Sequence, residues 1–580
     1  MGAKKIAKPK EEIDDNSPRP RLHKLIIKNF RAIGETPVEI ELDQIVVLVG
    51  SNNVGKSSIL RAYELIMLGD SKEARLTLED FPNCEIKENA LPEIILESIV
   101  FDEPGEEWIW EQTNGEKLVK EKWTWNTINT APKKVGYSNK LIDWHPTSGP
   151  WGAANVAMSK RPQPHRVNAF DSPEAQAKEI IELLETIIKE RIESFKSNSN
   201  EEDSEYIKML QGIIDIQKRL YNESKEQISK IEDELSSLIS SIFPNYKVEF
   251  DAEPEKPADI KLFGGNSKLK MGPADAFKSN IERQGSGARR TLLWTALRIL
   301  SESKGNPNRP HILLLDEPEI CLHPSAIRQC RDVLYNLPKS GNWQVVVTTH
   351  SPAFIDISKD NTTIVRVERN SKGSIVGTTV FRPAKVQLTE DDKEHLKLMN
   401  IFDPYVAEFF FGGHTIIVEG DTEYSAFKYV ISQKPEIYKD IHIIRARGKA
   451  TIVSLIKILN QFGTSYSVLH DSDTPKTLRE GKEIINGAWT KNKDIKEESR
   501  NCTENAKVRV LASISNFEKA FFGKEVNNEK PYNALMTTMK DATAFEKVEL
   551  CLKALIDHTE GLPEFCIEWD TLEELELAIK

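Results

Sequence analysis

Apolar runs that stop abruptly at glycine or at acidic residues mark the buried strands of this chain. Residues 37–50, PVEIELDQIVVLVG, hold a near-continuous apolar run that ends at Gly50, as a strand buried on both faces would. Residues 57–68 then have the spacing of a helix. Residues 310–381 continue as strand, helix, strand and a further strand pair, and a second α/β unit runs from 415 to 523. The pattern predicts an α/β protein.

Two other blocks interrupt this alternation. Residues 91–125 alternate in polarity and carry paired tryptophans around Asn114-Gly115, which is typical of a β-hairpin. Six of the ten tryptophans fall between Trp108 and Trp151, and a packed sheet face explains them better than stacking on nucleic acid. Residues 172–242 repeat apolar positions at intervals of three and four, which predicts a helical hairpin or coiled insertion, and strand-like segments return near 246–250 and 260–263.

Length and composition narrow the class of protein. With 580 residues the chain has room for two to four domains, and 39% hydrophobic with 29% charged residues is typical of a soluble globular protein. No run approaches the roughly 20 apolar residues of a membrane helix, and residues 1–20 lack the apolar core of a secretory signal. A cytoplasmic protein is therefore expected. The net charge of −12 argues against a basic coat but leaves a local nucleic-acid groove open.

The segment GSNNVGKSS satisfies the phosphate-loop pattern G-x-x-x-x-G-K-[ST] between a buried strand and a helix. The glycines let backbone N–H groups approach phosphate oxygens, Lys56 neutralises the β- and γ-phosphates, and the Ser57 hydroxyl binds Mg²⁺. We therefore expect ATP with Mg²⁺ here. The candidate ATP-binding residues of this loop are Gly50, Asn52, Asn53, Gly55, Lys56, Ser57 and Ser58.

Two later strand ends complete the predicted nucleotide site. HILLLDEPEICLHP places Asp316 and Glu317 at the end of an apolar run, where Asp316 holds the Mg²⁺ through water and Glu317 polarises the attacking water. VVVTTHSP ends another buried strand at His350, a candidate sensor of the γ-phosphate.

These residues resemble the ABC-type ATPases of the SMC and RecF kind. The resemblance rests on KLIIKNFRAIGETPVEIELDQIVVLVGSNNVGKSS, on DEPExxLHP, and on RQGSGARR in the place of the signature motif. It implies a composite ATP site across a dimer, with Gly287 and Arg289 as signature residues. The chain departs from the family at Gly285, where a serine is usual, and has no obvious Gln-loop glutamine after Leu91. Both departures bear on how efficiently ATP is hydrolysed.

A second constellation of acidic residues lies in the C-terminal half. IIVEGDTEYSAFKYVI breaks from an apolar run into Glu419 and Glu423, and about fifty residues later SYSVLHDSDTP ends a strand in Asp471 and Asp473. Parallel strands would bring both ends to one sheet edge. Carboxylates held close together repel unless a cation neutralises them, and Mg²⁺ or Mn²⁺ suits oxygen ligands. The plainer alternatives are a βα turn with a charged helix start or a flavodoxin-like edge with solvated acids.

The VEG and DxD pattern resembles the Toprim fold of topoisomerases, primases and certain nucleases. Glu423, one helical turn after Glu419, would add a ligand for a second metal ion, and two ions can activate water and stabilise a leaving 3′-oxygen. By resemblance, Glu518 in ASISNFEKAFFG is a late metal ligand and Lys530 stabilises the pentavalent phosphate. The segment RARGK, residues 445–449, is expected to contact DNA phosphates or to form a turn near the metals. Asp421 is left as a bystander.

An ABC ATPase followed directly by a Toprim unit resembles the overcoming-lysogenization-defect (OLD) family of nucleases. The resemblance spans residues 22–530 and carries the motifs LLLDEPExxLHP, TTHSP, FFFGGHTIIVEGDTE and HDSD in that order. It implies metal-dependent DNA cleavage with Glu419, Asp471 and Lys530 as catalytic residues, and ATP hydrolysis with Glu317 as the catalytic residue. It also implies ATP control, dimers or higher oligomers formed through the ATPase half, and a role in prokaryotic defence against phage.

The expected domain order follows from the resemblance: a disordered tail over 1–20, ATPase segments over 21–171 and 244–385, a helical dimerisation insertion over 172–243, a helical linker over 386–412 and a Toprim domain over 413–580, whose C-terminal part after about 523 is expected to be mostly helical. Two rival functions stay open. One is a DNA-repair ATPase that keeps the Toprim unit as a binding scaffold, and the other is a piece of a topoisomerase or primase. The sequence also leaves open whether a helicase or a retron RNA–DNA and reverse transcriptase partner accompanies the chain.

Overall fold

The computed structural model describes two compact units. Val47–Val54, His350–Arg369 and Gly377–Lys580 form the second unit, and the other described residues form the first. The description covers residues 21–580 except 69–70, 101–103, 112–114, 153–160, 169–171, 197–224, 226, 241–242, 244, 252–267, 303–309, 321, 341–342, 357–358, 360, 371–372, 383–387, 403, 480–481, 505 and 525–527. The predicted tail, the strand expected at 260–263 and the first part of the second insertion helix lie outside it.

An antiparallel sheet forms one layer of the first unit. Its strands lie in the order Val38–Glu41, Arg21–Lys28, Glu93–Ile99, Lys117–Thr124, Lys133–Ser138 and Asp143–Trp144, with Trp110–Glu111 paired to Lys117–Thr124. That pairing, Trp110 opposite Leu118 and Glu111 opposite Lys117, confirms the predicted hairpin. The tryptophans serve two purposes, since Trp123 and Trp125 are buried whereas Trp110 is 37% exposed.

Parallel strands carry the acidic strand end of the first unit. His311–Asp316 pairs in parallel with Gln163–Val167 on one side and with Trp343–Thr348 on the other. The interior of His311–Asp316 and all of Trp343–Thr348 are buried, which explains their near-continuous apolar sequences. The helices of this unit are Lys56–Met67, Pro173–Lys196, Ser286–Glu302 and Pro324–Asn336, together with helical residues 227–240.

The helical character predicted for this block is confirmed where the structure describes it, because Pro173–Lys196 forms one helix of 24 residues. Sequence reasoning identified only the first strand of the sheet that follows. Tyr246–Asp251, Lys268–Pro273 and Ser279–Asn280 pair antiparallel in that order. The sequence KLKMGP is short, partly charged and ends in proline, so its periodicity gave too weak a signal to predict a strand.

The second unit is built on a five-stranded sheet. Its order is Ile441–Arg445, His414–Val418, Tyr466–Asp471, Val508–Ser513 and Cys566–Glu568, with the first four strands parallel and the last antiparallel. The strand Cys566–Glu568 lies in a region expected to be mostly helical. Helices of this unit are Glu390–Phe402, Asp421–Gln433, Pro435–Tyr438, Lys449–Phe462, Gly487–Ser499, Phe517–Phe522, Lys530–Lys540, Ala542–Ile556 and Leu572–Ile579. Further strands are Thr362–Arg369, Lys476–Arg479 and Lys482–Ile485.

The apolar core of this unit explains its sequence pattern. Ile416, Val418, Leu469 and Leu511 on the strands pack in one buried cluster with Phe427 of the helix Asp421–Gln433. These strand interiors are buried on both faces, so the chain reads as continuous apolar runs there. The buried polar side chains within these strands, such as Thr415, Ser467 and Arg509, each lie one residue from a strand end. Among the described residues, no helix combines the length and the apolar composition needed to cross a bilayer.

The predicted charged connector forms the helix Glu390–Phe402, which packs on Lys449–Phe462. A buried carboxylate anchors it, because Asp392 accepts hydrogen bonds from Ser454 and from Lys457 Nζ, both at 2.6 Å. It also accepts from the Thr389 hydroxyl at 2.8 Å. Although burial alone would raise it, these bonds lower the pKa of Asp392 to about 2.

The variant Asp392→Asn should lower the free energy of unfolding by about 2 kcal/mol near neutral pH. The folded pKa of Asp392 lies below the unfolded value of about 3.9, so this stability is present above that value and disappears as the pH falls toward about 2. Urea unfolding of both proteins across this range measures the difference. Asp391→Asn, an exposed neighbour on the same helix, is the control. A difference that does not shrink in acid would contradict the assignment.

Candidate active site

The phosphate loop requires glycine where the strand ends. Gly50 has φ 142°, and a Cβ added to it would lie 2.1 Å from the carbonyl oxygen of Val367, so no side chain fits. Asn53 and Gly55 have φ of 61° and 91°, which turns the backbone before the helix Lys56–Met67. The loop is therefore shaped by its backbone, as phosphate binding through N–H groups demands.

The Ser57 hydroxyl and the Asp316 carboxylate meet directly. Ser57 donates to Asp316 Oδ1 at 3.0 Å, so the two residues predicted to share an Mg²⁺ ion do lie together. Lys56 is only 5% exposed, and burial lowers its pKa while the charges of Glu317 and Asp316 oppose that change. The carboxylate oxygens of Asp316 and the hydroxyl of Ser57 are the ligand types that Mg²⁺ prefers.

Three residues that sequence reasoning missed hold this acidic strand end. Arg166 Nη2 lies 3.2 Å from Asp316 Oδ2, and the Thr348 hydroxyl donates to Asp316 Oδ1 at 2.6 Å. Arg290 donates to the backbone oxygens of Glu317 and Pro318 at 3.0 and 3.3 Å. Thr348 belongs to the TTHSP motif, so the sequence signal that marks His350 could also have identified it. Arg166 lies on a short strand with no motif around it.

The turn after Asp316 and the signature segment are held within the first unit. Glu317 has φ 45°, a left-handed conformation, and its N–H donates to the Thr348 hydroxyl at 3.1 Å. Gly287 and Arg289 lie in the helix Ser286–Glu302. Arg289 is buried, donates to Gln176 Oε1 at 3.0 Å and also contacts the Gln284 backbone oxygen. Its guanidinium is thus engaged within its own subunit.

The predicted acidic strand ends meet in the second unit. His414–Val418 and Tyr466–Asp471 are neighbouring parallel strands, and the Asp471 N–H donates to Glu419 Oε2 at 3.0 Å. Val508–Ser513 is the next strand, and its Ser513 hydroxyl donates to Asp471 Oδ1 at 2.6 Å. Glu518 follows it on the first turn of Phe517–Phe522. The expected convergence at one sheet edge is therefore present.

Repulsion between these carboxylates shows in their proton affinities. Burial raises the pKa of Asp471 to about 7, and the charges of Glu419 and Asp473 add to the rise. Burial, with the charge of Asp471, also raises the pKa of Glu423 well above its usual range. The Glu419 pKa is raised by burial, against the charge of Lys449. A group of acids that hold protons this tightly is stabilised by a cation.

Each carboxylate has a partner within the chain. Glu423 accepts from the Gly420 N–H at 3.2 Å, and Asp473 contacts the Lys449 ammonium. Glu518, only 4% exposed, lies 3.3 Å from Lys530 Nζ. In the described part of the chain, no three acidic, histidine or cysteine side chains are arranged as a ready set of metal ligands. The protein's own donors thus occupy the oxygens that a metal ion would use.

The two arginines of RARGK and its lysine differ in role. Arg445 pairs with Asp421 at 2.9 Å and lies over the Tyr424 ring, and Arg447 Nη2 lies 3.9 Å from the same carboxylate. Asp421 therefore orders two cations beside the acidic site, whereas the sequence left it as a bystander. Lys449 is buried and contacts Asp473, which agrees with the second alternative for this segment, a turn near the predicted metal-binding carboxylates, and not with a DNA phosphate contact.

Comparison with known proteins places both sites in families. Residues 21–355 match the family described as AAA ATPase domain, and residues 410–473 match the family described as overcoming lysogenization defect protein-like, TOPRIM domain. The chain is similar to the Old nuclease of Escherichia phage P2, with 22% identity over 95% of each chain. It is similar to the OLD nuclease of Thermus scotoductus, with 23% identity over 86% of this chain and 89% of that one. Endonuclease GajA of Bacillus cereus is 24% identical over 37% of this chain and 35% of that one.

The variant Gly50→Ala should weaken ATP binding by about tenfold or more, because an overlap of this size costs more than the ~1.4 kcal/mol that a tenfold change represents. Titration with a fluorescent ATP analogue measures the affinity. Gly34→Ala is the matched control, since nothing lies within 4 Å of a Cβ added there. Equal affinity in wild type and Gly50→Ala would show that this loop does not bind the phosphates.

Proposed function

Because the chain belongs to the AAA ATPase domain family and carries an OLD-like TOPRIM domain, we propose that it is an ATP-regulated, divalent-metal-dependent DNA endonuclease. Its nuclease class is that of the relatives that match it over most of their length. The observation that carries the proposal is the meeting of Glu419, Asp471 and Glu518 at the carboxyl ends of the parallel strands of one sheet.

The acidic residues fit a hard divalent cation such as Mg²⁺ or Mn²⁺. They supply only oxygen donors, and they are crowded enough that burial and mutual repulsion raise the pKa of Asp471 to about 7. The residues that would hold one or two ions are Glu419, Glu423, Asp471, Asp473 and Glu518. When bound, divalent ions supply an activated water and stabilise charge on the leaving oxygen.

Cationic side chains near the carboxylates are proposed to hold the DNA backbone. The Lys530 side chain is 41% exposed, and its ammonium can move from Glu518 to a phosphate whose negative charge grows during cleavage. Arg445 and Arg447, oriented by Asp421, are proposed to contact neighbouring phosphates. Asp421 keeps the two guanidinium groups in place before DNA arrives.

The nucleotide site is proposed to control cleavage and to leave the cutting chemistry to the acidic site. Lys56, Ser57 and Asp316 are the ATP and Mg²⁺ residues, and Glu317 is proposed to polarise the water if ATP is hydrolysed. Assembly as a dimer or higher oligomer through the ATPase half is part of this proposal. Since Arg289 is engaged within its own subunit, contact with ATP across a dimer would require its release from Gln176.

The proposed biological role is the cutting of phage DNA in prokaryotic defence, which the OLD resemblance supports. The alternative is an ATPase that uses the TOPRIM unit as a DNA-binding scaffold. The raised proton affinity of the acidic cluster favours catalysis, because a scaffold for DNA has no use for buried carboxylates that repel its phosphates.

The variant Asp471→Ala should lower Mg²⁺-dependent nicking of supercoiled plasmid by at least about a hundredfold, because the proposed metal ion would lose the Asp471 carboxylate as a ligand. Lys56→Ala should retain nicking but lose its response to ATP. Gel analysis of plasmid with each metal, with and without ATP, measures both effects.

Glu436→Gln, an exposed acid on the short helix Pro435–Tyr438 of the same unit, is the matched control and should cleave as wild type does. Absence of cleavage under every metal and nucleotide condition would favour the scaffold alternative. Equal cleavage by wild type and Asp471→Ala would place the chemistry elsewhere.

A further inference from the structure

Lys449 occupies an unfavourable place for a cation. It is the first residue of the helix Lys449–Phe462, and its side chain is only 3% exposed. The N-terminus of a helix carries partial positive charge, and a buried ammonium loses its hydration. The side chain therefore needs strong acceptors. It has two, the Asp473 carboxylate and the Ala488 backbone oxygen, the latter at 3.2 Å.

The backbone around Asp473 fixes this contact. Asp473 has φ 61°, and its N–H donates to the Ser515 backbone oxygen at 3.0 Å. Ser515, itself at φ 67°, donates its N–H to the Ser472 hydroxyl at 2.8 Å. Two left-handed residues locked together by hydrogen bonds leave the Asp473 side chain little freedom to turn away from Lys449.

The Lys449 charge also reaches a second member of the acidic site. It opposes the rise in pKa that burial imposes on Glu419. Glu419 and Asp473 belong to two different strand ends, so one ammonium lies in the field of carboxylates from both. Its position is the interior side of the site, since the Asp473 side chain is 30% exposed while that of Lys449 is buried.

We propose that Lys449 is the internal counter-ion of the acidic site. Its ammonium pairs with Asp473 while no metal ion is bound, and this ion pair must break when a divalent ion binds the Asp473 carboxylate. The proposal rests on the proposed metal-dependent function. Lys449 is therefore a positioning residue, which stabilises the folded state against repulsion between the crowded carboxylates when no metal ion is bound. It also lowers metal affinity, because every ion that uses Asp473 has to break a charge-assisted bond.

A purely structural role for Lys449 predicts the opposite effect on metal binding. If the side chain only filled space and held the helix, its loss would loosen the site and weaken metal binding. A counter-ion that competes with the metal would, when removed, strengthen it. The sign of the change in affinity separates the two roles.

Calorimetric titration of the full chain with Mn²⁺ is the test, at fixed pH and ionic strength. Lys449→Met should bind Mn²⁺ about tenfold more tightly than wild type, since a hydrogen bond to a charged group is worth roughly 1.5–3 kcal/mol. Its melting temperature should fall without metal and recover more than that of wild type when Mn²⁺ is added. Lys439→Met, exposed at the opposite end of the sheet, is the charge-matched control.

Other outcomes are also decisive. Suppose that the wild type binds Mn²⁺ and that Asp471→Asn does not. Unchanged or weaker Mn²⁺ binding by Lys449→Met would then contradict the counter-ion role, while the metal site itself would be supported. Mn²⁺ binding that Asp471→Asn does not reduce, or no binding by any variant, would overturn the proposed function itself. If Lys449→Met does not fold, Lys449→Gln removes the same charge while keeping a donor for Ala488, and the same signs apply.

Discussion

Repulsion among carboxylates at the end of one parallel sheet is the constraint on which the second unit depends. Three strand ends deliver Glu419, Asp471 and the residues before Glu518 to the same edge, and burial removes the water that would screen them. Such a cluster raises its own proton affinity and opposes folding unless positive charge or hydrogen-bond donors compensate. The surrounding structure supplies both.

The compensation has a spatial order. The carboxylates nearest the strands accept hydrogen bonds from backbone and hydroxyl donors: Glu419 from the Asp471 N–H, Glu423 from the Gly420 N–H, and Asp471 from the Ser513 hydroxyl. Ammonium groups serve the outer ones, Lys449 at Asp473 and Lys530 at Glu518. The nucleotide site shows the same device, because Asp316 is held by Ser57, Thr348 and Arg166. In both units, protein donors lie where a cation is proposed to bind.

Motifs at strand ends could be predicted from the sequence because they combine a buried apolar run with a change to polar residues at its end. That pattern identified Gly50, Asp316, Glu419 and Asp471 as candidate site residues. It also predicted the α/β class, which the sheets of the structure and the family matches confirm. Partners that come from distant segments could not be predicted. Arg166 reaches Asp316 across 150 positions in the sequence, and no local pattern marks it.

Burial was the second thing the sequence did not reveal. The sequence predicts that RARGK either contacts DNA phosphates or forms a turn near the metals, and it does not separate Lys449 from the two arginines, which pair with Asp421 beside the site. Lys449 begins a helix with its side chain buried, and it contacts Asp473, whose backbone is in the left-handed conformation. Helical spacing predicts that Asp421 points away from the predicted metal-binding carboxylates, but it does not show that Arg445 of a neighbouring strand pairs with it.

X-ray diffraction at the manganese absorption edge, from crystals of the full chain grown with Mn²⁺, tests the central claim most directly. The account predicts anomalous peaks at the sheet edge, within coordination distance of carboxylate oxygens of Glu419 and Asp471. It further predicts that Lys449 no longer contacts Asp473 wherever that carboxylate binds an ion. Crystals that hold Mn²⁺ elsewhere while this edge keeps its ion pairs and shows no peak would contradict the account.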